Sequence, residues 1–230
     1  MNIAVILAGG NGVRMGAELP KQFLKLAGKK VIEYSIEAFE QNASIDEIIV
    51  VSNEATKGLV EVLINENQYQ KVKKVLIGGK ERHHSSLAAI NNCNDEDSLF
   101  IHDSVRPLVS QRIINDCVEA IKAYQAVNVG IQPTDTIYSV NQNHEMQKVH
   151  PRNELRHGQS PQVFKRETIR KAYEIALKDP NFTTTDDCGV VLKYLPEVPV
   201  FVVDGEVNNM KLTYKEDLAL LEKFLKIKHG

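Results

Sequence analysis

A short apolar run, Ile3-Ala4-Val5-Ile6-Leu7, opens into Ala8-Gly9-Gly10-Asn11-Gly12-Val13-Arg14-Met15-Gly16, and Pro20-Lys21-Gln22-Phe23 follows. A buried strand that ends in a glycine-rich loop brings backbone N–H groups close to an anion, because no Cβ stands in the way. Arg14 and Lys21 set two permanent cations beside that loop, which suits a polyphosphate. No Gly-Lys-Ser/Thr follows, so the loop is not a Walker A motif. Nor is it the dinucleotide fingerprint, since Met15 stands where a third glycine must let the helix pack on the sheet. The pattern is that of a nucleoside triphosphate loop of another kind.

Three further groups carry reactive side chains. Gly78-Gly79-Lys80-Glu81-Arg82-His83-His84-Ser85-Ser86 again joins an apolar run to a helical pattern, so its N–H groups and hydroxyls face the same sheet edge. Taken alone, a plain strand-to-helix turn with Ser85 as N-cap is the simpler explanation. His83 and His84 read as surface residues, with no cysteine or third histidine near enough for zinc. Leu99-Phe100-Ile101-His102-Asp103-Ser104-Val105-Arg106-Pro107 ends a strand on Asp103. A carboxylate there can hold Mg²⁺ against phosphate oxygens, and Arg106 can grip a phosphate; the same spacing also allows a local Asp103–Arg106 ion pair. In the last third, Lys211 either reaches a site as a point charge or caps a surface loop. Thr184 and Thr185, ahead of Asp186-Asp187, also make an acceptable helix start.

These groups need a frame. Candidate strands are Ile3–Leu7, Glu47–Val51, Lys74–Ile77, Leu99–Ile101, Ala126–Ile131 and Val198–Val203. They alternate with amphipathic stretches at Val31–Phe39, Thr56–Asn65, Ser85–Asn92, Ser110–Tyr124, Glu167–Leu177 and Lys215–Lys226. Solid apolar runs such as Ile48-Ile49-Val50-Val51 belong to strands covered on both faces. The order predicts an α/β fold with a mostly parallel sheet flanked by helices, and ligands at the carboxyl ends of the strands. Residues 133–159 break the rhythm. Thr136–Val140 and Met146–His150 flank Asn141-Gln142-Asn143-His144, which reads as a protruding hairpin arm or, alternatively, a disordered loop.

A length of 230 residues fits a single domain, 1–230. A net charge of -2 gives no basic field for nucleic acid, so any anion site is local. Cys93, Cys117 and Cys188 are odd in number and widely spaced, as expected of reduced thiols in the cytoplasm. The start lacks a charged signal-peptide region, and nothing approaches the ~20 apolar residues of a membrane span.

Taken in order, the glycine loop with Arg14, Pro20–Phe23, Gly78–Arg82, His102–Pro107, Gln159-Ser160-Pro161-Gln162, Thr185-Asp186-Asp187 and Asn209-Met210-Lys211-Leu212-Thr213 resemble the polyol-phosphate cytidylyltransferases. The resemblance runs from Ile3 to about Leu225. It implies a Rossmann-like fold of the nucleotide-diphospho-sugar transferase type and a homodimer joined through the arm. It also implies that Ala8, Gly9, Gly10, Asn11 and Gly12, with catalytic Arg14 and Lys21, hold the triphosphate of CTP. Gly79 and Ser85 would line the cytosine pocket and Arg82 would support it. Asp103 would lie between the nucleotide and Mg²⁺. Arg106, Thr136 and Arg152 would bind the acceptor phosphate or polyol, some of them across the dimer interface. Ser160, Thr185 and catalytic Lys211 would complete the polyol and α-phosphate site.

Within that family, Ser160 stands where threonine is usual. His102–Pro107, Thr134-Asp135-Thr136-Ile137 and His157-Gly158-Gln159 look more like the ribitol 5-phosphate branch than the methylerythritol phosphate branch. A nucleotidyltransferase for sugar 1-phosphates shares the opening strand and loop, but the Gln159–Gln162 and Asn209–Thr213 blocks argue against it. A degenerate nucleotide-binding module would have lost Arg14, Lys21, Asp103 or Lys211, and all four are present.

Overall fold

The computed structural model describes residues 1–10 and 19–229; Asn11, Gly12 and Arg14 of the expected loop lie outside them. Strands β1 (Asn2–Leu7), β4 (Glu47–Ser52), β5 (Val72–Ile77), β6 (Ser98–Asp103), β7 (Ala126–Ile131), β10 (His157–Lys165) and β11 (Val200–Asp204) form one seven-stranded sheet. Its order is β11-β7-β10-β6-β1-β4-β5. Every neighbouring pair is parallel except β10, which runs antiparallel to both β6 and β7.

Alternating strand side chains explain the layers. Ala4, Ile6, Ile48, Val50 and Phe100 pack under α1 (Val31–Glu40), α2 (Lys57–Asn67) and α4 (Gln111–Ala123). Their neighbours Val5, Leu7, Ile49, Val51 and Ile101 pack on the other face, under α3 (Arg82–Ile90), α5 (Arg166–Ala176) and α6 (Asp187–Tyr194). Both faces are covered, hence the continuous apolar strands. A smaller cluster seats α7 (Asp217–His229) by Leu221 and Leu225 against Leu26, Val105 and Leu212. No helix among the described residues is long and apolar enough to cross a membrane.

Several expectations change. A small hairpin, β2 (Lys25–Leu26) with β3 (Lys29–Lys30), turns on Ala27 and Gly28 at φ 46° and 92°, the double positive φ of a tight hairpin turn. Helix α3 starts at Arg82 with Glu81 as N-cap, so Ser85 lies inside the helix rather than capping it. Helix α6 starts after Asp186, whose carboxylate accepts from Gly189 N–H at 2.8 Å; Thr184 and Thr185 are not its cap. Strand β10 is not legible because Pro161 sits in its middle. A register shift between Gln159 and Val163 accommodates that proline. The arm is present as β8 (Ile137–Val140) paired with β9 (Met146–His150), while residues 157–159 belong to the central sheet.

Candidate active site

The carboxyl ends of β1 and β6 and the loop after β5 converge on a cleft of about 370 Å³. Leu7, Gly9, Gly10, Lys21, Gln22, Gly79, Arg82, Ser85, Asp103 and Lys211 are among its walls. Asp103, the last residue of β6, forms the charged floor. Lys211 Nζ lies 2.9 Å from its Oδ2, Arg82 Nε 3.6 Å from Oδ1 and Arg106 Nε 3.7 Å from Oδ2. Burial alone would push this carboxyl up. Lys211, Arg82 and Arg106 outweigh it and hold the group well below the usual carboxylate range. The anion is permanent, and the cations around it outnumber it.

Both arginines have anchors of their own. Arg82 Nη1 donates to Asp187 Oδ2 at 2.5 Å, and Tyr173 Oη donates to Asp187 Oδ1. Asp187 is fully buried on α6, so a hidden carboxylate aims a guanidinium at the cleft. Burial works against the charge on Arg82, but Asp187 and Asp103 together raise its pKa above the ordinary value. Arg106 is tied down by donation to Asn209 O at 2.7 Å and Gly158 O at 3.3 Å. The Asp103–Arg106 ion pair is therefore real, and Arg106 also clasps the loop that carries Lys211. Asn209 in turn donates to Ser160 O at 2.8 Å and Gln159 Oε1 at 3.2 Å.

The first glycines are held from behind. Gln22 Nε2 donates to Ala8 O at 2.7 Å and Gly10 O at 3.0 Å, and Asn53 Nδ2 donates to Gly9 O at 3.0 Å. With these carbonyls engaged, the Gly9 and Gly10 N–H groups meet no acceptor among the described residues. Unengaged N–H groups of this kind can receive an anion. Gly78 and Gly79 allow close approach to α3. A Cβ on Gly78 would stand 2.2 Å from Ser85 Oγ, and one on Gly79 2.5 Å from His84 Cβ.

Of the expected site residues, Ala8, Gly9, Gly10, Lys21, Gly79, Arg82, Ser85, Asp103, Arg106 and Lys211 are brought together at or beside this cleft. Ser160 is buried beneath it. Its hydroxyl accepts from Asp103 N–H at 3.1 Å and lies 3.0 Å from His102 Nδ1. Thr136, Arg152 and Thr185 are exposed and do not line the cleft within this chain. Arg152 Nη1 donates to Thr134 O at 2.6 Å, bracing the base of the arm. His83 is buried rather than on the surface, its ring edge-on to Phe182 at 5.1 Å.

Gln22, Asn53, His102 and Asp187 hold cleft residues in place and have no site role in the sequence reading. The available signals were a polar residue in an apolar strand for His102 and the neighbour of Lys21 for Gln22. Asp187 belongs to the Thr185-Asp186-Asp187 block, though nothing local marks it as the partner of Arg82, and Asn53 carries no signal.

The family model for IspD, 2-C-methyl-D-erythritol 4-phosphate cytidylyltransferase, matches residues 2–227. The chain is 43% identical over 230 residues to the 2-C-methyl-D-erythritol 4-phosphate cytidylyltransferase of Thermobifida fusca, covering 97% of this chain and 92% of that protein. It is also 43% identical over 226 residues to the bifunctional ribulose 5-phosphate reductase/CDP-ribitol pyrophosphorylase of Haemophilus influenzae. That match covers 96% of this chain but 48% of the longer protein. Among solved structures, 4-diphosphocytidyl-2C-methyl-D-erythritol synthase from Anaerococcus prevotii superposes with a TM-score of 0.87. It covers 98% of this chain and 96% of its own at 24% identity, a likeness of fold. The chain thus belongs to the IspD family of nucleotidyltransferases and is a cytidylyltransferase acting on a polyol phosphate.

Proposed function

We propose that the chain transfers CMP from CTP to D-ribitol 5-phosphate, giving CDP-ribitol and pyrophosphate, as a cytoplasmic homodimer of single-domain subunits. The observation that carries the transfer chemistry is Asp103 at the strand end, ringed by Lys211, Arg82 and Arg106 and facing the Gly9–Gly10 cradle. Support for ribitol comes from the His102–Pro107, Thr134–Ile137 and His157–Gln159 blocks and from the likeness to the Haemophilus protein. A second reading, 2-C-methyl-D-erythritol 4-phosphate as acceptor, is favoured by the family model and by the equal identity to the Thermobifida enzyme.

A phosphate monoester has a second pKa of about 6, so the attacking oxygen is already ionised near neutrality and needs no general base. That oxygen bonds to the α-phosphorus of CTP, the bond to the β-phosphate bridge breaks, and pyrophosphate leaves with the electron pair. The barrier is electrostatic, because two polyanions must meet while charge spreads over the α-phosphate oxygens. In this reading Arg14, Lys21 and the Gly9–Gly10 N–H groups hold the triphosphate, and Lys211 meets the α-phosphate. Gly79 and Ser85 seat the base, and Arg82 stiffens that wall.

No cluster of three His, Cys, Asp or Glu side chains able to hold a metal ion exists among the described residues, so an all-protein cage is not what Mg²⁺ would meet. The donor set fits its other mode, one carboxylate plus substrate phosphates. Asp103 is ionised, and its Oδ1 receives no hydrogen bond among the described residues. Mg²⁺ held by Asp103 would neutralise phosphate charge and orient the triphosphate. Thr136 and Arg152 serve the acceptor phosphate of the partner subunit, carried there by the arm, and Thr185 borders the polyol.

The test is pyrophosphate release from CTP and Mg²⁺ with each acceptor separately. Turnover with ribitol 5-phosphate alone is the expected result. Turnover with methylerythritol 4-phosphate alone transfers the assignment to the second reading.

A further inference from the structure

A buried histidine lies directly beneath the charged floor of the cleft. His102 is fully enclosed in β6, its ring edge-on to Phe39 of α1 at 5.2 Å. Nε2 lies 3.1 Å from Arg106 O, an atom that can only accept, so Nε2 carries the proton. Nδ1 of a neutral ring then accepts, and the Ser160 hydroxyl 3.0 Å away donates to it. The same hydroxyl accepts from Asp103 N–H at 3.1 Å. The Ser160 carbonyl on that side is taken by Asn209 Nδ2 at 2.8 Å. Ser35 Oγ, from α1, donates to Ser104 O at 3.0 Å, with Arg106 O 3.4 Å away. The nearby charges are Asp103 and Arg106. Along the run from Asp103 N–H through the Ser160 hydroxyl to His102 Nδ1, and from Nε2–H to Arg106 O, each hydrogen has an acceptor, so reversing a link leaves a buried group unpaired.

We propose that His102, locked as the Nε2–H tautomer, is a positioning residue that sets the Asp103 and Arg106 backbone through the Ser160 hydroxyl and the Arg106 carbonyl. The proposal rests on the cytidylyl-transfer reading for its consequence in catalysis. It also gives Ser160 a different use: the hydroxyl is consumed beneath the floor rather than offered to the polyol. A threonine at the same place keeps the chain intact, because only the hydroxyl is used.

The tautomer is read directly by long-range ¹H–¹⁵N NMR of the imidazole in the whole protein. The expected result is a protonated Nε2 and a bare Nδ1. A protonated Nδ1 overturns the proposal. In turnover, Ser160→Ala and His102→Phe should each lower kcat about tenfold with KM for CTP nearly unchanged, the scale of one lost hydrogen bond. Because they break one chain, the double variant should match the worse single. Losses that multiply, or a Ser160→Ala enzyme at wild-type kcat, overturn it; Ser160→Thr should stay within about twofold of wild type. Should His102→Phe fail to fold, Ser160→Ala and the NMR measurement decide alone. If the wild-type chain turns over neither acceptor, the functional reading fails. The relay is then judged by whether Ser160→Ala shifts the His102 nitrogens and the Asp103 amide; unmoved signals overturn it.

Discussion

Around Asp103 the cations have different duties, and their anchoring separates them. Arg106 is spent on two carbonyls and Arg82 is fixed by buried Asp187, whereas Lys211, with over a third of its side chain exposed, pairs only with Asp103 among the described residues, which in the proposed reading leaves donors for a substrate. Lys211→Ala should therefore lower kcat about 10²-fold or more, the scale for losing a preorganised contact to transition-state charge. Lys21→Ala should cost a similar factor, and steady-state kinetics checks both; normal turnover in purified Lys21→Ala sinks its assignment. His102 makes a different kind of prediction. Burial lowers its pKa to about 4 from an ordinary 6.5. Below pH 6.5 the unfolded chain takes up a proton that the folded chain refuses until about pH 4, so folding stability is lost as pH falls through that window. The loss from this group amounts to about 3 kcal/mol. Denaturant midpoints measured from neutral pH to pH 4 should fall steeply in the wild type and less in His102→Phe. His83, also held down by burial and by His84, leaves a residual slope.

Elements turn these residues into a site, and the short turn at Lys21–Phe23 contributes more than its length suggests. Gln22 is almost fully buried and binds carbonyls on both sides of Gly9. Gln22→Ala removes both donors, at about 1 kcal/mol each, and frees the cradle to rotate its N–H groups away. KM for CTP should rise about tenfold with the global fold retained; calorimetric CTP affinity beside a thermal melt checks it, and unchanged affinity refutes the clamp. Much of this was legible in the sequence. The parallel strands and their helices announced themselves by periodicity, and Asp103 stood where a buried strand ran out. Three pieces did not. Strand β10 was hidden by Pro161, whose local signal contradicts the bulge that tolerates it. The anchoring of Arg82 by Asp187 spans 105 positions, and no local pattern reports a contact that long. Gln22 stood inside the Pro20–Phe23 block, but nothing in the sequence paired it with the carbonyls of Ala8 and Gly10. Local rules find elements and charged groups; what holds a charge still is settled by the tertiary fold.

At the scale of the whole molecule, the arm is the part that one chain does not explain. Strands β8 and β9 form a two-stranded hairpin outside the main sheet, closed by Asn141 Oδ1 accepting from Asn143 N–H at 2.9 Å and Glu145 N–H at 3.0 Å. Two cross-strand pairs, Tyr138 with Val149 and Val140 with Met146, leave each of these apolar side chains more than half exposed. An isolated hairpin is marginal in water, and exposed apolar pairs add a further cost. Packing this surface on a second copy would relieve both, and in the proposed dimer it would deliver Thr136 and Arg152 to a cleft whose walls do not include them. The proposed dimer thus links assembly to activity. Wild-type protein should sediment at twice the 25.8 kDa chain mass. Tyr138→Glu with Met146→Glu places like charges on the arm and should give single chains. Polyol-phosphate turnover should then fall at least about tenfold, through a raised acceptor KM, while CTP still binds the intact cleft. A wild-type protein that turns over substrate at the single-chain mass refutes the shared site; a monomeric variant with full turnover refutes the delivery of Arg152 while leaving the dimer standing.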